Sequence, residues 1–203
     1  PPLTEIVANR GEFVALLDRH AVGGFDQGQS KSGRVTALVA GRLHKPDGGA
    51  EQLAERFEMD GVSCLEEAAG PFVAACYDHQ SGKIALSRSV SGQRSIFVAP
   101  IQGGLLFSTD ACWLSAHEET GFALDPGGLA DYLSFGVIWG TQTLSAGVKR
   151  LLPGSAYVAL RSGSEPSLIN WARHPRGDEI PDPEDAIQAL NTSLAESMRR
   201  TTQ

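Results

Sequence analysis

The chain has 203 residues, 41% of them apolar and 20% charged, an ordinary globular balance with length enough to bury a core without staples. Its net charge of −7 supplies no basic field, which sets aside nucleic acid and anionic membrane as partners. No basic-then-apolar leader opens the chain and no apolar run approaches about 18 residues, so the reading is cytoplasmic.

The chain begins Pro1-Pro2 without a methionine, which implies a removed initiator or missing upstream residues. From Arg34 onward, short β-rich runs alternate with turn formers. Arg34 to Ala40 is the first expected strand, followed by a helix over Ala50 to Met59 that places Leu53, Ala54 and Phe57 on one face. Further strands are expected at Phe72 to Tyr77, Lys83 to Ser87, Ser95 to Ala99, Gly104 to Ser108 and Ala156 to Leu160. The connections Asp78 to Gly82 and Pro100 to Gly104 are short and rich in turn residues, as in antiparallel hairpins. Asp125 reads as the N-cap of a helix starting at Pro126, with Leu129, Tyr132 and Leu133 facing inward.

Arg173 to Pro183 is polar and broken by prolines, the pattern of a linker. After it, Asp182 caps a helix whose apolar face is Ile187, Leu190, Leu194 and Met198, with Arg199 and Arg200 at the end where the helix dipole favours cations. The expected division is a domain at residues 1–172, a linker at 173–182, and the first helix of a following domain at 183–203. Hairpins flanked by helices give an α+β layered fold, not a parallel βαβ sheet.

Motifs that would carry chemistry are few. The five histidines never pair at i,i+4, so no metal site is expected. Cys64, Cys76 and Cys112 are odd in number and widely spaced in apolar settings, and read as buried free thiols rather than a disulfide frame. No two of the 23 glycines lie two residues apart, which excludes a G-x-G-x-x-G loop, and neither a G-x-x-x-x-G-K-[ST] loop nor a G-x-S-x-G elbow occurs. Ser91-Gly92-Gln93-Arg94-Ser95 has the small residues of a phosphate loop, but it has one glycine and leads into the β-rich "IFVAP". We read it as a hairpin turn in which Gly92 lets two strands pair.

From about Gly70 the order of pieces resembles the N-terminal, glutaminase-type domain of the asparagine synthetase family. "AAGPFVAACYD" (Ala68 to Asp78) is similar to that family's G-x-F-A-F-A-x-x-D strand, and "LSRSVSGQRSIFVA" (Leu86 to Ala99) to its ARDRxGxKPLYYA hairpin. "GGLLFSTDACWLSAH" (Gly103 to His117) resembles GGLLFASELKALLAH. "LDPGGLADYLSFGVIWGTQTLSAGVKRLLPGSAYVAL" (Leu124 to Leu160) follows LDPxALAEYLxFGxVPGxxTLFxGVxxLxPGxxL in order and spacing. The resemblance spans roughly residues 35 to 200 and is most specific from Leu124 to Gly154.

The resemblance implies an Ntn-hydrolase-like αββα sandwich, two antiparallel sheets between helical layers. It also implies a following ATP-dependent synthetase domain, with ATP and Mg2+ held there by an S-G-G-x-D-S loop and no cofactor in this segment. Glutaminase chemistry in the family uses a cysteine at the mature N-terminus as nucleophile and base, whereas residue 1 here is Pro1 and the first cysteine is Cys64. The family's oxyanion loop NGEIYN aligns with "AGRLHK" (Ala40 to Lys45): Gly41 keeps its place, and Ala40 replaces the amide donor. Losing such a donor costs about 100-fold to 1000-fold in turnover. No RGPD-like segment precedes it.

The expectation is therefore a catalytically degenerate domain of an AMP-forming amide ligase. It is similar in character to the β-lactam synthetases and to the macrolactam synthetases that cyclise lasso peptides. Its partners would be its own synthetase domain and a precursor peptide. Two alternatives stand beside it: an active glutamine amidotransferase whose cysteine lies upstream, and a free-standing interaction domain.

Overall fold

A computed structural model of the chain describes residues 5–9, 14–17, 24–44, 49–102, 104–160, 166–172 and 182–201. The chain divides into two units, Pro1–Ala172 and Arg173–Gln203.

The first unit is built on a six-stranded antiparallel sheet. Its strands are β3 (Phe25–Gln29), β4 (Val35–Gly41), β5 (Phe72–Asp78), β6 (Lys83–Arg88), β10 (Ser155–Leu160) and β11 (Ser167–Asn170), in the order β11-β10-β6-β5-β4-β3. A second antiparallel sheet has the order β8-β7-β9, from β7 (Phe97–Ile101), β8 (Gly104–Ser108) and β9 (Lys149–Arg150). β1 (Glu5–Asn9) and β2 (Val14–Leu17) pair with each other.

Strict alternation in the central strands builds two cores at once. Val35, Ala37 and Val39 of β4 and Phe72, Ala74 and Cys76 of β5 point to one side, against Leu53, Ala54 and Phe57 of α1 (Gly49–Asp60) and Cys64 and Leu65 of a 3-10 turn at Gly61–Glu67. Leu38, Val73, Ala75, Tyr77 and Leu86 point to the other side, against Ile96, Val98 and Leu151. The far face of the smaller sheet buries Ala99 and Val148 under Leu114 of α2 (Ala111–Ser115). The layers run helix, sheet, sheet, helix, so the α+β sandwich expected from the sequence is the fold observed. The strands at Asp78–Gly82 and Pro100–Gly104 pair as the hairpins foreseen.

Three expectations are corrected. The strands flanking Ser89–Ile96 do not pair: β6 lies in the larger sheet and β7 in the smaller, so the segment carries the chain from one layer to the other. Gly92 (φ +61) serves that crossing, and its Cβ position is closed by Pro153 Cγ at 2.8 Å. Second, α3 (Pro126–Phe135) starts as foreseen, with Asp125 Oδ1 accepting from Gly128 N at 2.8 Å, but its apolar face is not turned inward. Tyr132 is 51% and Leu133 75% exposed, and Leu129 is half-buried, because α3 stands against the backbone of Thr143 at Gly128 rather than over a sheet. Third, Cys112 is exposed on the first turn of α2, while Cys64 and Cys76 are buried.

The second unit is described from Asp182 onward. Asp182 Oδ1 accepts from Glu184 N (2.7 Å) and Asp185 N (3.3 Å), capping α4 (Pro183–Thr201), whose Ile187, Leu190, Leu194 and Met198 are exposed. The expected linker at 173–182 lies, except for Asp182, outside the described residues. Among the described residues no helix is long and apolar enough to cross a membrane.

Candidate functional site

Ala40 and Gly41 end β4, at the rim where the larger sheet opens. Ala40 pairs with Phe25 on one side and Val73 on the other, and its half-buried side chain packs with the core between the sheets. It offers no hydrogen-bond donor beyond its backbone. Gly41 has φ +110, a conformation open to glycine and strained for other residues. A Cβ there would collide with the Pro71 carbonyl and stand 2.7 Å from Nε of Arg94, so the Arg94 side chain lies directly against this backbone.

The N–H of Gly41, the residue that keeps its place in the aligned loop, donates to the Gly24 carbonyl at 3.0 Å. The next residues are tied in the same way: Arg42 N donates to Pro71 O (3.1 Å) and His44 N to Ala69 O (2.8 Å). This rim is stitched as an extension of the sheet. Lys45, the last residue of the aligned loop, lies outside the described residues.

The cysteines do not converge on it. Burial pushes the Cys64 thiol up to about 12 and the Cys76 thiol well above its ordinary range, which removes the thiolate form that nucleophilic attack requires. Among the described residues no three His, Cys, Asp or Glu side chains are placed to hold a metal ion.

Just before the crossing segment stands a residue that the sequence pattern did not single out. Arg88, 7% exposed at the end of β6, donates through Nε to Arg94 O (2.6 Å), through one terminal nitrogen to Leu151 O (2.7 Å) and through the other to Gly92 O (2.6 Å). Burial lowers the pKa of its guanidinium, yet three carbonyl dipoles satisfy it, and an arginine keeps its charge under such conditions. Gly154 N closes the other side by donating to Arg88 O (3.0 Å) and Ser89 O (3.3 Å). Two N–H groups that a phosphate nest would use are already engaged, Ser89 N with Phe72 O and Gly92 N with Ser89 O. The only sequence sign of this clamp was an arginine placed where a strand gives way to a small-residue loop.

A second polar knot lies at the opposite end of β4 and β5. Asp78, 6% exposed, accepts from Arg34 in a two-pronged pair (3.1 and 2.7 Å), from the backbone of Gln80 and from the Ser81 hydroxyl (2.8 Å). These bonds, the Arg34 pair first, hold its carboxyl well below the usual range. Beside it, the buried Thr36 hydroxyl is 2.8 Å from Nε2 of His79.

A family model of the glutamine amidotransferase domain matches residues 36–168, about two thirds of the chain. The chain belongs to this family. None of the curated proteins matches it. The glutamine amidotransferase domain thus begins within β4, four residues before Ala40, and ends within β11, and it encloses both the Gly41 rim and the Arg88 clamp.

Proposed function

We propose that this amidotransferase domain is catalytically degenerate and serves as the N-terminal, structural part of an ATP-dependent, AMP-forming amide ligase of the asparagine synthetase type. The reaction class nearest to it is peptide macrolactam formation, in which an internal amine replaces ammonia. The observation that carries the reading is the Gly41 N–H, spent on Gly24 O beside an Ala40 that has no amide to offer. Cys64 and Cys76, protonated in the core, supply no alternative nucleophile.

Against a nucleotide at the Ser89–Ile96 loop stand its engaged donors, Ser89 N and Gly92 N, and Arg88 turned onto its carbonyls. The ATP and magnesium sites are accordingly proposed for the partner synthetase domain, along with the precursor-peptide pocket.

Incubating the chain with glutamine tests the reading: no ammonia above the uncatalysed background is expected, and measurable release overturns it. ATP–pyrophosphate exchange is expected only from a polypeptide that also carries an S-G-G-x-D-S loop. The family match itself favours a second reading, an active amidotransferase using an upstream cysteine. Ammonia release from a longer gene product, abolished by alkylating that cysteine, would establish it.

A further inference from the structure

The β3–β4 turn, the end of α1 and the β5–β6 turn meet around an open cleft of about 540 Å3, bounded by Ser32, Gly33, Arg34, Glu58, His79 and Gln80. That volume is within the range of small-molecule sites, roughly 300–1,000 Å3. The cleft lies at the far end of β4 and β5 from the Gly41 rim, since Val35 pairs with Asp78 and Gly41 with Phe72.

Two opposite charges face this space, and neither neutralises the other. Arg34 uses Nε and one terminal nitrogen on Asp78 (3.1 and 2.7 Å), which leaves its second terminal nitrogen, with two N–H groups, without a partner among the described residues. Glu58 Oε2 accepts from the Ser32 hydroxyl at 2.6 Å, and the carboxylate keeps further lone pairs open. The bond to Asp78 first, and also the field of Glu58, raise the pKa of Arg34. Hydrogen bonds from Ser30 and Ser32, and also the field of Arg34, lower that of Glu58. The two groups therefore feel each other, yet among the described residues the ion pair of Arg34 is with Asp78 and Glu58 has none.

Both charges are held in place from behind. Asp78, 6% exposed, is fixed by Gln80 N (2.9 Å) and the Ser81 hydroxyl (2.8 Å). In the β3–β4 turn Gly33 N donates to Ser30 O (2.7 Å), Arg34 N to Ser32 Oγ (3.1 Å) and Lys31 N to Glu55 Oε1 (2.7 Å), so the turn is tied to itself and to α1. A cation and an anion fixed apart in this way are prepared for a ligand that carries both signs, which gains two charge-assisted bonds without rearranging the protein. An ion of one sign would be attracted by one group and repelled by the other. An α-amino acid carries its ammonium and carboxylate on one carbon, and the cleft leaves room for its side chain.

We propose that this cleft binds a free α-amino acid as its zwitterion, with the carboxylate on Arg34 and the ammonium on Glu58. The proposal stands whether or not the domain hydrolyses glutamine. Titrating glycine, the bare zwitterion, into the 15N-labelled chain should give saturable amide shifts at 32–34, 58, 79 and 80, with a Kd on the order of millimolar. N-acetylglycine, which lacks the ammonium, and glycine methyl ester, which lacks the carboxylate, should bind at least about tenfold more weakly. Glu58→Gln removes one charge while keeping an oxygen for Ser32, and Arg34→Lys keeps a cation beside Asp78 while removing the second terminal nitrogen. Each should weaken glycine about tenfold or more, whereas Glu118→Gln, exposed beyond α2, should leave it unchanged. The shift map of the unaltered chain does not depend on how well the variants fold. No saturation by about 50 mM, shifts centred on Gly41 instead of this cleft, equal binding of the ester or the acetyl compound, or indifference to Glu58→Gln overturns the proposal.

Discussion

The guanidinium of Arg88 donates to the carbonyl of Leu151 at 2.7 Å across 63 positions of sequence, and so joins the end of the larger sheet to the segment that leads back into it. One side chain thereby fixes the crossing from β6 to β7 and the return from β9 to β10. Arg88→Ala would strand the carbonyls of Gly92, Arg94 and Leu151. A loss of about 3–5 kcal/mol is expected, each stranded group costing about 1–3, read as a fall of roughly 10 °C or more in Tm. Arg88→Lys should recover little, because one ammonium cannot reach three divergent carbonyls.

Asp78 makes acid stability depend on its ion pair. Its folded-state pKa is depressed, so its contribution is full above the ordinary aspartate value near 4 and is lost as pH falls through that value toward the folded one. Between about pH 5 and pH 2 the unaltered chain should lose more stability than Asp78→Asn, followed by urea midpoints at each pH. Parallel pH profiles for the two proteins would remove Asp78 from the account.

Thiol reactivity should separate the cysteines cleanly. With a disulfide reagent at neutral pH, Cys112 should react within minutes in the folded chain, and Cys64 and Cys76 only on unfolding. Cys112→Ser should then abolish the fast phase without moving Tm by more than about 1 °C, as expected for an exposed position.

Gly41 is constrained twice, by its positive φ and by its neighbours. Gly41→Ala should destabilise by about 2–4 kcal/mol, the strain of about 1–3 adding to the collision with Pro71 and Arg94. Thermal melting monitored by circular dichroism reads this directly. Ala40→Asn should leave glutamine turnover at background, because it adds a side-chain amide without freeing the Gly41 N–H from Gly24.

The central strands were legible because Val35 to Gly41, Phe72 to Asp78 and Lys83 to Arg88 combine β-branched and small apolar residues with clear turns between them. Phe25–Gln29, Ser167–Asn170 and the two-residue β9 left no such trace. The first two are largely polar or exposed edge strands, and the last is too short to show a period. The path of Ser89 to Ile96 was misread for a different reason. A glycine turn reports local geometry, whereas membership of one sheet or the other shows in pairings with strands far along the chain, β10 for β6 and β9 for β7, which no local window contains. Helical spacing likewise found the apolar residues of α3, but spacing cannot say whether anything lies over them. At the rim, Ala40 and Gly41 could be picked out by resemblance, while the bond from Gly41 N to Gly24 O came only from the fold.

Strand order carries a consequence for how the molecule is made. β10 lies beside β6 although the whole smaller sheet intervenes in the chain. During synthesis the edge of β6 therefore waits, unpaired, until Ser155 to Leu160 has been completed. Over that interval a row of free backbone donors and acceptors is open to other chains, the situation in which strands pair wrongly and aggregate. Chains ending before Ser155 should accumulate in inclusion bodies, and long-range pairing of this kind places the domain among slow folders.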